Sequence, residues 1–67
     1  MSSVLTKRER EVFELLIKNK STFEIGEILF ISEKTVRNHI SNVIQKLGVT
    51  CRAQAIVELI RMEEIII

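Results

Sequence analysis

Between Ile31 and Leu47 the apolar residues recur at intervals of three and four. At about 100° of rotation per residue, Val36, His39, Ile40, Val43, Ile44 and Leu47 gather on one arc of a helix. Lys34, Arg37, Asn38, Ser41 and Gln45 gather on the opposite arc, with Asn42 at its edge. Ser32 is placed to accept a hydrogen bond from an early helical amide, and Gly48 can take the left-handed conformation that stops a helix. The pattern therefore predicts a helix over residues 33–47. One arc is made for burial. The other carries a guanidinium, amides and a hydroxyl with no carboxylate among them, the groups that suit the base edges of the DNA major groove. Any amphipathic helix also has a solvated polar face, so this stretch alone leaves both readings open.

The same periodicity places two helices upstream. Thr6-Lys7-Arg8-Glu9 has the form of a capping box, and Val12, Phe13, Leu15, Leu16 and Ile17 follow it as a broad apolar arc. Lys7, Arg10, Glu11, Glu14 and Lys18 cover the other side, where ion pairs four residues apart are expected. A second capping box, Ser21-Thr22-Phe23-Glu24, opens a short helix through Ile25, Ile28 and Leu29. The link Phe30-Ile31-Ser32 then leads without a glycine into the longer helix. A short helix, a tight turn and a longer polar-faced helix follow the order of a helix-turn-helix. In that arrangement Ser21 and Thr22 face the DNA backbone and are candidate phosphate contacts, unless they only cap.

Downstream, a fourth helix is expected over residues 52–62, with a narrow polar arc of Gln54, Glu58 and Arg61. Ala55, Leu59 and Met62 can face the domain's own core, which leaves Ala53, Ile56, Val57 and Ile60 as a second apolar face. A helix in so small a domain should not be buried all round. Ala53, Ile56, Val57 and Ile60, backed by Ile65, Ile66 and Ile67, are therefore expected to form a dimer interface. The alternative is an isoleucine tail folded back on its own chain.

The chain has 67 residues, 46% of them apolar, with no proline and two glycines, which suits a single helical domain. A domain of this length buries only about 60% of its unfolded surface, so its stability margin is expected to be thin. The net charge of +1 is unevenly spread. Residues 1–31 hold five basic and five acidic side chains, residues 32–52 four and one, and residues 53–67 one and three. The positive excess thus falls on the polar-faced helix and just after it, which favours an anionic partner there and salt-dependent binding. One cysteine, Cys51, excludes an internal disulfide and agrees with a reducing compartment. Its place beside Arg52, near a helix start, leaves a plain N-cap and an oxidisable thiol both open.

One histidine and one cysteine do not make a set of metal ligands, so His39 is expected to be a packed structural residue. No nucleophile with a neighbouring base, no glycine-rich phosphate loop and no carboxylate pair can be assembled, which excludes a recognisable catalytic constellation. Neither a cofactor nor a small-molecule ligand is expected. No apolar run approaches the roughly 18 residues of a membrane span, and the N-terminus has no signal-peptide core. A soluble cytoplasmic protein with no membrane partner is expected.

Several segments carry a family resemblance: Leu5 to Val12, Glu24-Ile25, Ile31 to Asn42, Lys46 to Val49 and Arg52 to Ala55. In this order and spacing they resemble the LuxR-type helix-turn-helix family over residues 4–62. The resemblance implies an all-α, four-helix domain that binds double-stranded DNA as a homodimer through its fourth helix and regulates transcription, with RNA polymerase as a further partner. It implies base contacts from Arg37, Asn38 and Ser41, and backbone contacts from Lys34, Thr35 and Lys46. Face periodicity groups the first three independently, whereas Lys46 rests on the resemblance alone. The chain also resembles a stand-alone sporulation regulator of this family, which implies a role in sporulation gene expression. Two positions depart from the pattern. The family usually has alanine where Gly26 stands, and the stand-alone regulator has glycine where Glu63 stands. Two alternatives remain: a protein-interaction module on the same fold, and an excised output domain of a two-component response regulator. The initial Met1 with no tag residues favours a complete chain.

Overall fold

Side chains within four residues of each helix start decide where the backbone begins to coil. The computed structural model describes residues 4–66 and contains α1 (Lys7–Ile17), α2 (Thr22–Leu29), α3 (Glu33–Leu47) and α4 (Arg52–Arg61). Both expected capping boxes form. Thr6 Oγ1 accepts the Glu9 N–H at 3.1 Å, and Glu9 Oε1 accepts the Thr6 N–H at 2.9 Å. Ser21 and Glu24 repeat the exchange at 3.1 and 2.9 Å. Ser32 Oγ accepts the Thr35 N–H at 3.0 Å and opens α3. Cys51 is the N-cap of α4 but makes no capping bond. The α4 entry is tied instead by Gln54, whose Oε1 accepts from the Thr50 N–H at 3.0 Å and the Thr50 hydroxyl at 2.9 Å.

All four helices stop on a left-handed residue: Asn19 (φ 66°), Phe30 (59°), Gly48 (68°) and Glu63 (58°). The amide after each stop reaches back to a carbonyl five residues earlier. Lys20 reaches Leu15 at 3.1 Å, Ile31 reaches Gly26 at 3.0 Å, Val49 reaches Ile44 at 3.2 Å and Glu64 reaches Leu59 at 2.9 Å. Carbonyls that the helix itself cannot pair are thereby satisfied. Glycine takes this conformation freely and asparagine tolerates it, whereas Phe30 and Glu63 each lose about 1–2 kcal/mol. Replacing Glu63 by glycine is therefore expected to raise stability by about 1 kcal/mol, after allowance for the freer unfolded chain. Urea unfolding should show a higher midpoint at an unchanged slope, and a midpoint that stays or falls would refute the strain.

Helix α3 packs on α1, α2 and α4, and α1 also packs on α2. Its buried stripe of Val36, Ile40 and Val43 meets Val12 and Phe13 of α1, Ile25 of α2, and Ala55 and Leu59 of α4 in one core. Leu5 and Ile65 close this core from the two ends of the chain. Burial of Ile65 settles part of the tail question, because this residue folds back on its own domain. The returning strand of chain is held by Arg10, whose Nη1 donates to the Glu64 carbonyl while its Nη2 pairs with Glu64 Oε1 at 3.0 Å. Ile66 is exposed, and Ile67 lies outside the described residues.

Three sequence expectations change. Met62 was expected in the core but is 44% exposed, because the left-handed stop at Glu63 swings the chain so that Ile65 enters in its place. Ile56 and Ile60, assigned to the outer face of α4, are half-buried against the core, and only Ala53 and Val57 of that face stand exposed. On α1, Glu11 pairs with Arg8 at 3.3 Å, and Arg10 crosses to Glu64.

Candidate nucleic-acid interface

Once Val36, Ile40 and Val43 are buried, helical geometry turns Lys34, Arg37, Asn38, Ser41 and Gln45 outward together, and all five are exposed. Asn42 joins them at the edge, and His39 lies half-buried at the border of the core arc. The face thus presents the Arg37 guanidinium, the three carboxamides of Asn38, Asn42 and Gln45, the Ser41 hydroxyl, and the Lys34 ammonium at the N-terminal end.

Its placement beside α2 depends on Glu33, a residue whose role periodicity did not reveal. Thr22 Oγ1 donates to Glu33 Oε2 at 2.7 Å, and Arg37 Nη2 pairs with the same oxygen at 2.8 Å. One carboxylate therefore joins the N-terminal turn of α2 to the first turns of α3, bringing Ser21 and Thr22 alongside Arg37. The polar face is also bordered by an acid, where the wheel had put none. The spacing of four between Glu33 and Arg37 was the available signal. Both side chains are well exposed, so the pair contributes only about 0.3–0.5 kcal/mol. A bidentate contact of Arg37 with guanine is worth about 1–3 kcal/mol of discrimination, so the guanidinium can leave Glu33 for a base at little cost.

The backbone-contact candidates are differently placed. Ser21 and Thr35 are engaged in capping, since Ser21 bonds Glu24 and the Thr35 hydroxyl lies 2.8 Å from Ser32 Oγ. Hydrogen bonds from the Ser21 backbone, and then from its hydroxyl, hold the Glu24 carboxyl below its ordinary value. Lys34 is exposed and makes no ion pair among the described residues. Lys46 stands apart from the others. Its Nζ donates to Glu9 Oε1 at 2.5 Å and to the Val4 carbonyl at 3.3 Å, tying α3 to α1.

Glu9 is itself buried, and burial alone would push its carboxyl up. The hydrogen bond from Lys46, the Thr6 N–H, the Lys46 charge and the Thr6 hydroxyl together outweigh this and bring it below the ordinary 4.5. A carboxyl lowered in the folded state contributes stability above the unfolded value and loses it as pH falls through the folded one. Lys46→Met should therefore cost about 1–2 kcal/mol at neutral pH and move the onset of acid unfolding to higher pH. Thermal melts between about pH 3 and pH 7 would read both effects. An unaltered acid limb would show that Lys46 does not serve Glu9.

Ala53, Gln54, Val57 and Glu58 of α4, with Val49 of the link before it, line an open apolar cleft of about 350 Å³. This cleft holds the exposed half of the expected dimer face. Among the described residues, no group of histidine, cysteine or carboxylate side chains is placed to hold a metal ion, and no helix is long and apolar enough to cross a membrane.

Comparison with known proteins agrees with this arrangement. The profile described as bacterial regulatory proteins, luxR family, matches residues 3–59. The chain is 71% identical over 62 residues to the spore germination protein GerE of Bacillus subtilis, an alignment covering 92% of this chain and 84% of that protein. It is 53% identical over 58 residues to the transcriptional regulatory protein DegU of Brevibacillus brevis, covering 87% of this chain but 25% of DegU. A solved structure of the transcription factor GerE superposes with a TM-score of 0.92 at 63% identity, covering 94% of each chain. These relatives are transcription regulators and not enzymes. Four helices, an exposed polar face on the third and a match over most of the chain place this protein in the luxR family of bacterial regulatory proteins, with the family's helix-turn-helix fold.

Proposed function

We propose that this chain, a DNA-binding transcription regulator, acts as a homodimer on specific duplex sites in sporulation gene expression. Arg37, Asn38 and Ser41 read base edges in the major groove, with the guanidinium suited to guanine and the carboxamide to adenine. Lys34, Thr35, Ser21 and Thr22 meet the phosphate backbone and set the register. Lys46 adds its charge at the backbone from the far end of α3 while remaining tied to Glu9. Two copies associate through α4, where Ala53 and Val57 supply the exposed centre and Ile56 and Ile60 the half-buried flank. The two recognition helices then enter successive major grooves about 10 bp apart. RNA polymerase is the partner through which promoter output changes. The sporulation setting is suggested by the likeness to the spore germination protein.

The observation that carries this reading is the Thr22–Glu33–Arg37 linkage, which sets the α2 N-terminus beside an outward row of unburied donors on α3. Selection from a random duplex library, followed by titration of the enriched site at two salt concentrations, tests it. A roughly palindromic motif and a steep salt slope are expected, since each phosphate neutralised releases condensed counterions. Recovery of no motif would leave the polar face as a solvated surface and sink the reading.

A further inference from the structure

The returning tail buries one isoleucine and leaves the next outside. Ile65 is in the core, whereas Ile66 is 88% exposed. Ile66 stands at a cleft of about 470 Å³, which it lines together with Glu14 and Ile17 of α1 and Lys18 at the end of that helix. Ile17 packs against the core and gives the cleft an apolar wall. Glu14 and Lys18 are exposed and four residues apart, the spacing at which a glutamate and a lysine pair along a helix. Neither makes an ion pair among the described residues. One small surface therefore presents an apolar knob, an apolar hole, an anion and a cation, and its own chain pairs neither charge.

We propose that this surface docks a second copy of the chain about a two-fold axis, apart from the α4 face, and so joins dimers seated on neighbouring DNA sites. α1 runs antiparallel to its copy, with the axis at the level of Leu16, midway between Glu14 and Lys18. Glu14 then meets the partner's Lys18, Lys18 meets the partner's Glu14, and Ile66 of each copy enters the cleft of the other. Charge selects the occupant. DNA or a uniformly basic segment gains at one rim group and loses at the other, whereas the same pair turned through a two-fold meets its opposite at both. Shape agrees, because an isologous contact fills both clefts at once. Size decides where the contact acts. One isoleucine and one ion pair from each copy fall far short of the roughly 1,000 Å² of a standing interface, so free dimers stay apart. Dimers held on adjacent sites reach effective concentrations of about the mM range, where so small a contact is populated. Lys18 precedes Ser21 and Thr22, the candidate backbone contacts, by three and four residues, which puts the surface beside the duplex. The inference rests on the DNA-binding reading and names a further partner of the bound dimer.

The test uses the full chain and duplexes carrying either one library-selected site or two in tandem, with the spacer lengthened one base pair at a time across about 10 bp. Each protein is judged by the ratio of its paired-site to its single-site affinity. The parent should fill paired sites at about fivefold to tenfold lower concentration than single ones, at one phase of the spacer series. Ile66→Ser should lose this gain while single-site binding and the thermal midpoint stay as in the parent. Glu14→Lys and Lys18→Glu should each lose it too. The variant carrying both exchanges should regain it, because two reversed charges again meet their opposites across a two-fold, which no other kind of partner would reproduce. No gain at any spacer, or a double exchange no better than the single ones, overturns the self-docking surface and leaves DNA binding standing. A fall in single-site affinity with Ile66→Ser would put that residue in the α4 dimer, and a lower thermal midpoint with the gain intact would mean that the tail packs on its own chain. Either result also overturns it. A parent with no selectable site overturns the DNA-binding reading itself.

Discussion

Gly26→Val will destabilise the domain by about 2–3 kcal/mol, the range for forcing added volume into a packed position. Gly26 is buried in α2 where α2 turns into α3, and a Cβ built on it would lie 2.7 Å from the backbone carbonyl oxygen of Ile31. That oxygen belongs to the turn and cannot move like the tip of a flexible side chain, so the turn must shift. The alanine variant separates two effects. Helix propensity alone would favour alanine over glycine by about 1 kcal/mol, whereas the short contact opposes it and should bring the net change to zero or below. A stepwise loss from glycine to alanine to valine, read as urea midpoints, is the expected series. An alanine variant more stable by the full propensity gain would show that the turn has room to spare. The functional consequence is direct, because this turn sets the α2–α3 crossing and with it the place of Ser21 and Thr22 relative to Arg37.

Arg37→Ala is expected to cost about 1–3 kcal/mol of specific DNA binding and to relax the preference at one base position. Domain stability should move by no more than about 0.5 kcal/mol, since the Arg37 side chain is 60% exposed and its pair with Glu33 is a surface pair. Glu33→Gln makes the informative contrast. Removing a carboxylate beside the backbone should strengthen binding to random duplex and to the selected site alike, because Arg37 leaves Glu33 when it reaches its base. The ratio of specific to non-specific affinity should therefore hold where Arg37→Ala lowers it. Titration of the selected site and of a scrambled duplex at two salt concentrations reads both terms. Equal losses on both duplexes for Arg37→Ala would reduce that residue to a phosphate contact. Lys34→Ala, by comparison, should weaken all duplexes alike and lower the salt slope by about 1.

Much of the candidate interface's layout was legible in the chain itself, and the parts that were not share a physical cause. The outward grouping of Arg37, Asn38 and Ser41 follows from which positions of α3 are apolar, so burying Val36, Ile40 and Val43 left no other face for them. Glu33 escaped because its value lies in a second bond to Thr22, 11 residues away, that exists only when α2 and α3 cross. Lys46 entered through the family resemblance alone, as a backbone contact. Its bond to Glu9, 37 residues earlier, needs α1 and α3 packed side by side before it can be seen.

Local chemistry by itself determined the four helices, both capping boxes, the Gly48 stop and the division of α3 into a core stripe and a polar row. Each of these is settled within about four residues along the chain, by side chains bonding nearby amides or by the 3.6-residue period. Tertiary structure alone decided that Ile65 rather than Met62 fills the core, that Arg10 clasps Glu64 across 54 residues, and that Ile56 and Ile60 turn half inward. It also decided that Gly26 has no space for a side chain and that Phe23 and Phe30 remain outside. These depend on the angles at which helices cross. Such angles arise from the sum of many small packing contacts, and no single stretch of sequence carries them.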